Sequence, residues 1–165
     1  LVAVHAALRL RSGDLAIRGD GNYLGFEAIA DEYYLTGSAN LAHYYLGMCY
    51  LKKGRFEDAI AQLKSYSAAD EMTGPLAAGA IGDAYMELDN AAEAADYYMK
   101  AAGKSRNDFS TPLFLMKAGG AYEKLGRYAD ALKAYGQIQD DFQKTNEGRE
   151  IDKYIARAKN LSGAY

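Results

Sequence analysis

The chain has one cysteine, two histidines, two prolines and no tryptophan among its 165 residues. A lone Cys49 excludes an intrachain disulfide and a cysteine-built zinc site, and it leaves the redox compartment unread. With only Pro75 and Pro112 as breakers, long stretches are free to be helical. No apolar run approaches the roughly 20 residues that cross a bilayer. The formal charge of −3 comes from 19 basic and 22 acidic residues. These are scattered, which argues against a nucleic-acid partner and against an anionic membrane surface. The first residue is Leu1 rather than Met, so the chain reads as a trimmed or processed product. Any membrane association is expected only through an anchor absent from this sequence.

Catalytic chemistry has little to draw on. His5 and His43 both fall inside helical patterns, and Cys49 sits beside Tyr50 where a small buried hydrophobe is expected. A reactive thiol would want positive charge around it. No close acid pair stands out as general acid and base. Neither an enzyme, a cofactor, a metal site nor a small-molecule substrate is expected.

What is abundant is Ala, Gly and Tyr, and they recur. Three segments align without gaps from Asn40, Pro75 and Pro112, at offsets of 35 and 37 residues. In each, a Gly precedes a Tyr by three positions and an Ala by twelve. The triplets are Gly47, Tyr50, Ala59; Gly82, Tyr85, Ala94; and Gly119, Tyr122, Ala131. Small residues repeated in this way let two antiparallel helices approach closely. Gly54 and Gly126 stand where a first helix must end in a left-handed turn, and Asp89-Asn90 takes that place in the second segment. Pro75 and Pro112 are expected at the first position of a helix, with Thr111 as an N-cap.

The pattern resembles the tetratricopeptide repeat, a helix–turn–helix unit of about 34 residues with the pattern W-x₂-L-G-x₂-Y…A-x₃-F. The first segment reads His43-x₂-Leu46-Gly47-x₂-Tyr50 and Ala59-x₃-Leu63. The second reads Ala78-x₂-Ile81-Gly82-x₂-Tyr85 and Ala94-x₃-Tyr98. The third reads Leu115-x₂-Ala118-Gly119-x₂-Tyr122 and Ala131-x₃-Tyr135. The Trp and the late Pro of the family are missing from all three. The resemblance implies an all-α, right-handed superhelix of helix–turn–helix repeats, with repeats at 40–73, 75–108 and 112–145. His43 then fills the Trp slot as a structural residue.

Residues 1–39 are expected to form a degenerate leading hairpin, with helices over 1–11 and 22–35 joined by an irregular SGDLAIRGDG loop. Residues 147–161 place Ile151, Tyr154, Ile155, Ala158 and Leu161 on one face, as a closing helix requires. That makes about nine helices. The Arg18-Gly19-Asp20-Gly21-Asn22 stretch lacks the strand and Gly-Lys-Ser/Thr of a phosphate loop. As a calcium loop it would put Leu24 where an oxygen ligand belongs. A Gly/Asp turn is the simpler reading.

Members of the family bind partners on a concave surface lined by the first helix of each hairpin. The resemblance places Leu41, Tyr44, Tyr45 and Met48 there from the first repeat, with Leu51 and Lys52. From the second it places Leu76, Asp83 and Met86, with Gly79, Ala80 and Glu87. From the third it places Leu113, Met116, Lys117 and Glu123, with Gly120 and Lys124. Members that clamp the C-terminal carboxylate of heat-shock chaperones use Lys and Asn where this chain offers Tyr44, Met48, Asp83 and Leu113. Only Lys117 fits, and Asp83 would repel a carboxylate. A Tyr/Met-containing groove suits an extended or helical protein segment instead. GDGNYLGF and REIDKYIARA are similar to bacterial envelope members that carry an N-terminal anchor. The expected function is a non-enzymatic protein-binding scaffold, assisting protein handling on the periplasmic side of the inner membrane or in the cytoplasm. The alternative is a self-assembling module that binds another copy through the groove or terminal helices.

Overall fold

The computed structural model describes residues 2–8, 13–68 and 70–163. Among the described residues it has ten helices and no strand, with one isolated bridge between Gly19 and Leu24. The chain forms two compact units, Leu1–Ala68 and Ala69–Tyr165.

The first unit contains α1 (Val2–Leu8), α2 (Gly13–Arg18), α3 (Phe26–Glu32), α4 (Gly37–Lys52) and α5 (Phe56–Ser65). The tenth helix is α2, which occupies most of what reads as an irregular loop in the sequence. Its Ala16 and Ile17 are buried, and core contact holds a six-residue helix too short to persist alone. Asp14 in its first turn is bonded to Lys53 at 2.7 Å. Residues 9–11, expected to extend the first helix, lie outside the described residues. Helix α3 is shorter than the expected 22–35 at both ends. The Asp20 carboxylate accepts the Asn22 and Tyr23 N–H groups at 3.0 and 2.9 Å, making a turn where helix was expected. At the other end Thr36 caps α4, its hydroxyl accepting the Ala39 N–H at 3.2 Å.

The second unit contains α6 (Thr73–Glu87), α7 (Ala91–Lys104), α8 (Thr111–Lys124), α9 (Tyr128–Asp141) and α10 (Asn146–Ser162). Pro75 and Pro112 are the third and second residues of their helices, one or two later than expected. Both still lie in the first turn, where no N–H finds an intrahelical acceptor. Thr111 is not the N-cap. It lies inside α8, and its hydroxyl donates to the Ser105 carbonyl at 2.8 Å while accepting the Asn107 N–H at 3.1 Å. Helix α10 buries Ile151 and Ala158 against the core, with Tyr154 and Ile155 packed beside them. Leu161, expected on the same face, is exposed at the helix end.

The three hairpins α4–α5, α6–α7 and α8–α9 turn in one way. Gly54, Asp89 and Gly126 have φ of 74°, 57° and 69°. The next N–H, of Arg55, Asn90 or Arg127, returns to the carbonyl of the repeat tyrosine, Tyr50, Tyr85 or Tyr122, at 2.8–2.9 Å. This is the six-to-one bond that seals a helix C-terminus. Arg55 and Arg127 then lie over the Tyr50 and Tyr122 rings, at 4.0 and 4.7 Å from the centroid.

Within each hairpin the first helix offers a glycine to a large buried residue of the second. A Cβ on Gly47 would come within 2.5 Å of Leu63, and one on Gly82 within 2.6 Å of the Tyr98 ring. One on Gly119 would overlap the Tyr135 ring. The neighbouring Gly120 is exposed and meets nothing. Gly119→Ala is therefore expected to destabilise the protein by about 1–3 kcal/mol, because Tyr135 is wholly buried and cannot yield. Gly120→Ala is expected to stabilise it by about 0.5–1 kcal/mol through helix propensity alone. Urea denaturation of the two variants checks the pair, and equal shifts would remove the close-approach argument.

Candidate functional site

In the first unit, Leu41, Tyr44, Tyr45 and Met48 project from α4. Leu41 and Tyr45 are half-buried and pack against the core of that unit. Tyr45 stacks on Phe26, which begins α3, with centroids 5.5 Å apart and planes within 18°. Tyr44 meets Tyr45 edge-on at 5.4 Å and lies 5.2 Å from the ring of Tyr66, just past the end of α5. Offset and edge-on rings of this kind hold one another in place. Met48 stands at the surface. His43 is bonded through Nδ1 to Gln62 Oε1 at 2.7 Å, a tie between α4 and α5. The Cys49 thiol is half-buried, and burial pushes its pKa up, away from the reactive thiolate.

In the second unit, Leu76, Met86, Leu113 and Met116 are half-buried against the core. Gly79 and Ala80, read in the sequence as facing the groove, are instead buried, and the Phe114 ring of α8 lies directly on Gly79. A first helix must pack against the next first helix, and the smallest residues on that side take the contact.

Asp83, Lys117 and Glu123 are held in ion pairs. Lys117 Nζ donates to both oxygens of Asp83, at 2.7 and 2.8 Å, and the Tyr98 hydroxyl donates to the same carboxylate at 2.6 Å. Arg157 on α10 donates to Glu123 at 2.7 Å, and the Tyr135 hydroxyl donates to Glu123 at 3.2 Å. The single lysine that fits a carboxylate clamp is thus committed to Asp83. Tyr98, Tyr135 and Arg157 were not among the candidates read from the sequence. The signal was present: Lys117 follows Asp83 by 34 residues and Arg157 follows Glu123 by 34, one repeat in each case.

A cleft of about 440 Å³ lies between the start of α6 and the α7–α8 connection, lined by Met72, Leu76, Phe109 and polar residues of the loop. Met72 and Phe109 are 70% and 73% exposed. Among the candidates it includes only Leu76. Its apolar walls come from connections, to which helix periodicity is blind.

A family model described as tetratricopeptide repeat matches residues 3–73 and 80–144. No curated protein matches the sequence. Among solved structures, the chain is similar to a crystal structure from Podospora anserina described as kinesin light chain nearly identical TPR-like repeats. The TM-score is 0.67 at 15% identity, over 98% of this chain and 85% of that one. At that identity the likeness concerns the fold.

The buried tyrosines make the protein sensitive to alkali. Burial, followed by the hydrogen bond and the charge of Glu27, pushes the Tyr50 hydroxyl up to about 12, with Arg55 opposing. Tyr98 and Tyr135 are raised too, by burial first and then by the carboxylates of Asp83 and Glu123. An unfolded tyrosine loses its proton near pH 10 (roughly). Above that pH the unfolded chain gives up protons that the folded chain keeps, so stability is full below about pH 10 and falls as pH rises towards 12. Urea midpoints taken from about pH 9 to 11 are expected to decline, and less steeply in Tyr50→Phe. An unchanged slope in that variant would show that Tyr50 titrates as if unfolded.

Proposed function

Because this chain belongs to the tetratricopeptide repeat family, we propose that it is a non-enzymatic scaffold that holds a segment of another protein on the first helices of its hairpins. Repeats of this family are protein-interaction modules, and the reading of these particular residues rests on one observation. Asp83, Lys117 and Glu123 are neutralised within the fold, whereas Tyr44, Tyr45 and Met48 are partly or fully exposed on α4. Asp83 is bonded to Lys117 and Glu123 to Arg157. The Tyr44–Tyr45–Phe26 contacts fix a rigid apolar face beside Met48. Such a face gives contact area at little cost in side-chain entropy, and Met48 adapts to the shape of what lies on it. An extended or helical segment bearing apolar side chains is the fitting partner.

The likeness of GDGNYLGF and REIDKYIARA to envelope members supports placing this work on the periplasmic side of the inner membrane in a bacterial cell. No helix among the described residues is long and apolar enough to cross a membrane. Fractionation of native cells tests the location, and a purely cytoplasmic distribution would sink it.

A benzophenone side chain placed at position 48 is expected to cross-link a discrete partner in native cells. The same group at Glu57, exposed on α5, is expected to give none. Met48→Glu should weaken binding of that partner about tenfold while leaving the helical signal unchanged. Equal capture from both positions would remove the groove as the binding face, and capture of a second copy of the chain would favour self-assembly.

A further inference from the structure

The cleft at the α6 end of the second unit is built to present apolar side chains to solvent. On one wall Asp70 Oδ1 accepts the Met72 and Thr73 N–H groups at 2.8 and 2.7 Å, and Oδ2 accepts the Thr73 hydroxyl at 2.7 Å. On the other wall Asn107 Oδ1 accepts the Phe109 and Ser110 N–H groups at 2.9 and 2.7 Å. Its Nδ2 donates to the Ser105 carbonyl and hydroxyl and to the Ser110 hydroxyl. Both turns are therefore pinned in backbone, and from them Met72 and Phe109 stand 70% and 73% exposed. Leu76 lies between as a half-buried floor. Two large exposed apolar side chains on opposite walls of one concavity are unlike the scattered hydrophobes of an ordinary surface. A volume of about 440 Å³ falls in the range of ligand-binding sites.

The lining is of one charge sign. Glu71 stands beside Met72 and Asp108 beside Phe109, both exposed, and neither forms an ion pair among the described residues. No lysine or arginine lines the cleft. Arg106, on the same connection, is turned away to Asp141 at 2.7 Å and to the Phe142 ring. The two carboxylates at the cleft are left for charge from outside.

We propose that this cleft docks a basic amphipathic segment of a partner protein. Apolar side chains of that segment seat between Met72 and Phe109 on Leu76, and its Lys or Arg side chains pair with Glu71 and Asp108. The site shares only Leu76 with the candidate groove and does not depend on the groove being used.

The test measures fluorescence anisotropy of a labelled leucine/lysine peptide of helical period with the full chain at low salt. Two counterparts replace its lysines by glutamate or its leucines by alanine. The leucine/lysine peptide is expected to bind and both counterparts to fail. Met72→Ser/Phe109→Ser should weaken binding about tenfold, as expected of anchor residues. Glu71→Gln/Asp108→Asn should weaken it about fivefold and flatten its salt dependence. Glu93→Gln/Asp96→Asn, which removes the same charge from the exposed face of α7, should leave binding unchanged. All six altered side chains are exposed, and circular dichroism confirms that each variant is folded. Three results would overturn the proposal. They are no binding by the wild type, equal weakening by the α7 variant, or a wild-type dimer in sedimentation that Met72→Ser/Phe109→Ser dissolves, which would assign the cleft to a second copy.

Discussion

Each hairpin closes only because its first helix carries a glycine where its second carries a large buried side chain. Gly47 receives Leu63, Gly82 receives Tyr98 and Gly119 receives Tyr135, at separations that leave no room for a methyl group. The rest of the repeat follows from this approach. The second helix can come so near only if its own contact positions are small, and Ala59, Ala94 and Ala131 are wholly buried there. Three residues after each glycine, a tyrosine carbonyl receives the N–H that seals the helix end. One spacing therefore sets both how close the helices lie and where the first one stops.

Bringing tyrosines into that contact creates a second demand. A buried hydroxyl without a partner costs about 1–3 kcal/mol, so Tyr98 and Tyr135 need acceptors. The acceptors are carboxylates, Asp83 and Glu123, each placed on the first helix of the same hairpin. A half-buried carboxylate needs a counter-charge in turn, and it comes from the next first helix, as Lys117 and Arg157. An exposed ion pair is worth only about 0–1 kcal/mol. Its contribution here is to hold the acceptor in place, so that the hydroxyl stays bonded. The first hairpin has Leu63 in place of the tyrosine and so makes no such demand.

The repeat was legible because it is local and periodic. The glycine, tyrosine and alanine spacing, the left-handed turns at Gly54, Asp89 and Gly126, and the closing helix α10 all follow from residue type at fixed intervals. The leading region was less legible because its elements are held by contacts distant in sequence. Helix α2 depends on burial of Ala16 and Ile17, and α3 is shortened by an Asp20 turn that competes for backbone donors. The candidate surface was legible as a set of positions but not as an energetic object. Repeat register can say that Asp83 and Lys117 are near first-helix surfaces. It shows their pairing only when one asks which base lies one repeat after an acid. Gly79 failed for a related reason: a position open in an average repeat is closed here by the large Phe114.

The same logic separates surface that is finished from surface that is not. In the second unit, the acids that meet buried tyrosines, Asp83 and Glu123, are matched with bases, and most large apolar side chains on the helices pack against the core. Matching of this kind is easy where successive helices repeat at a constant interval, since each residue meets the same kind of neighbour one period on. The connection between α7 and α8 is not bound by that interval. Its backbone donors are satisfied from within by Asn107, which frees Phe109 and Asp108 from any structural duty. Asp70 does the same for Met72 and Glu71 before α6. Side chains released from the demands of the repeat in this way can vary without cost to the fold, and here Phe109 with Asp108 beside it presents apolar area and negative charge together at the cleft.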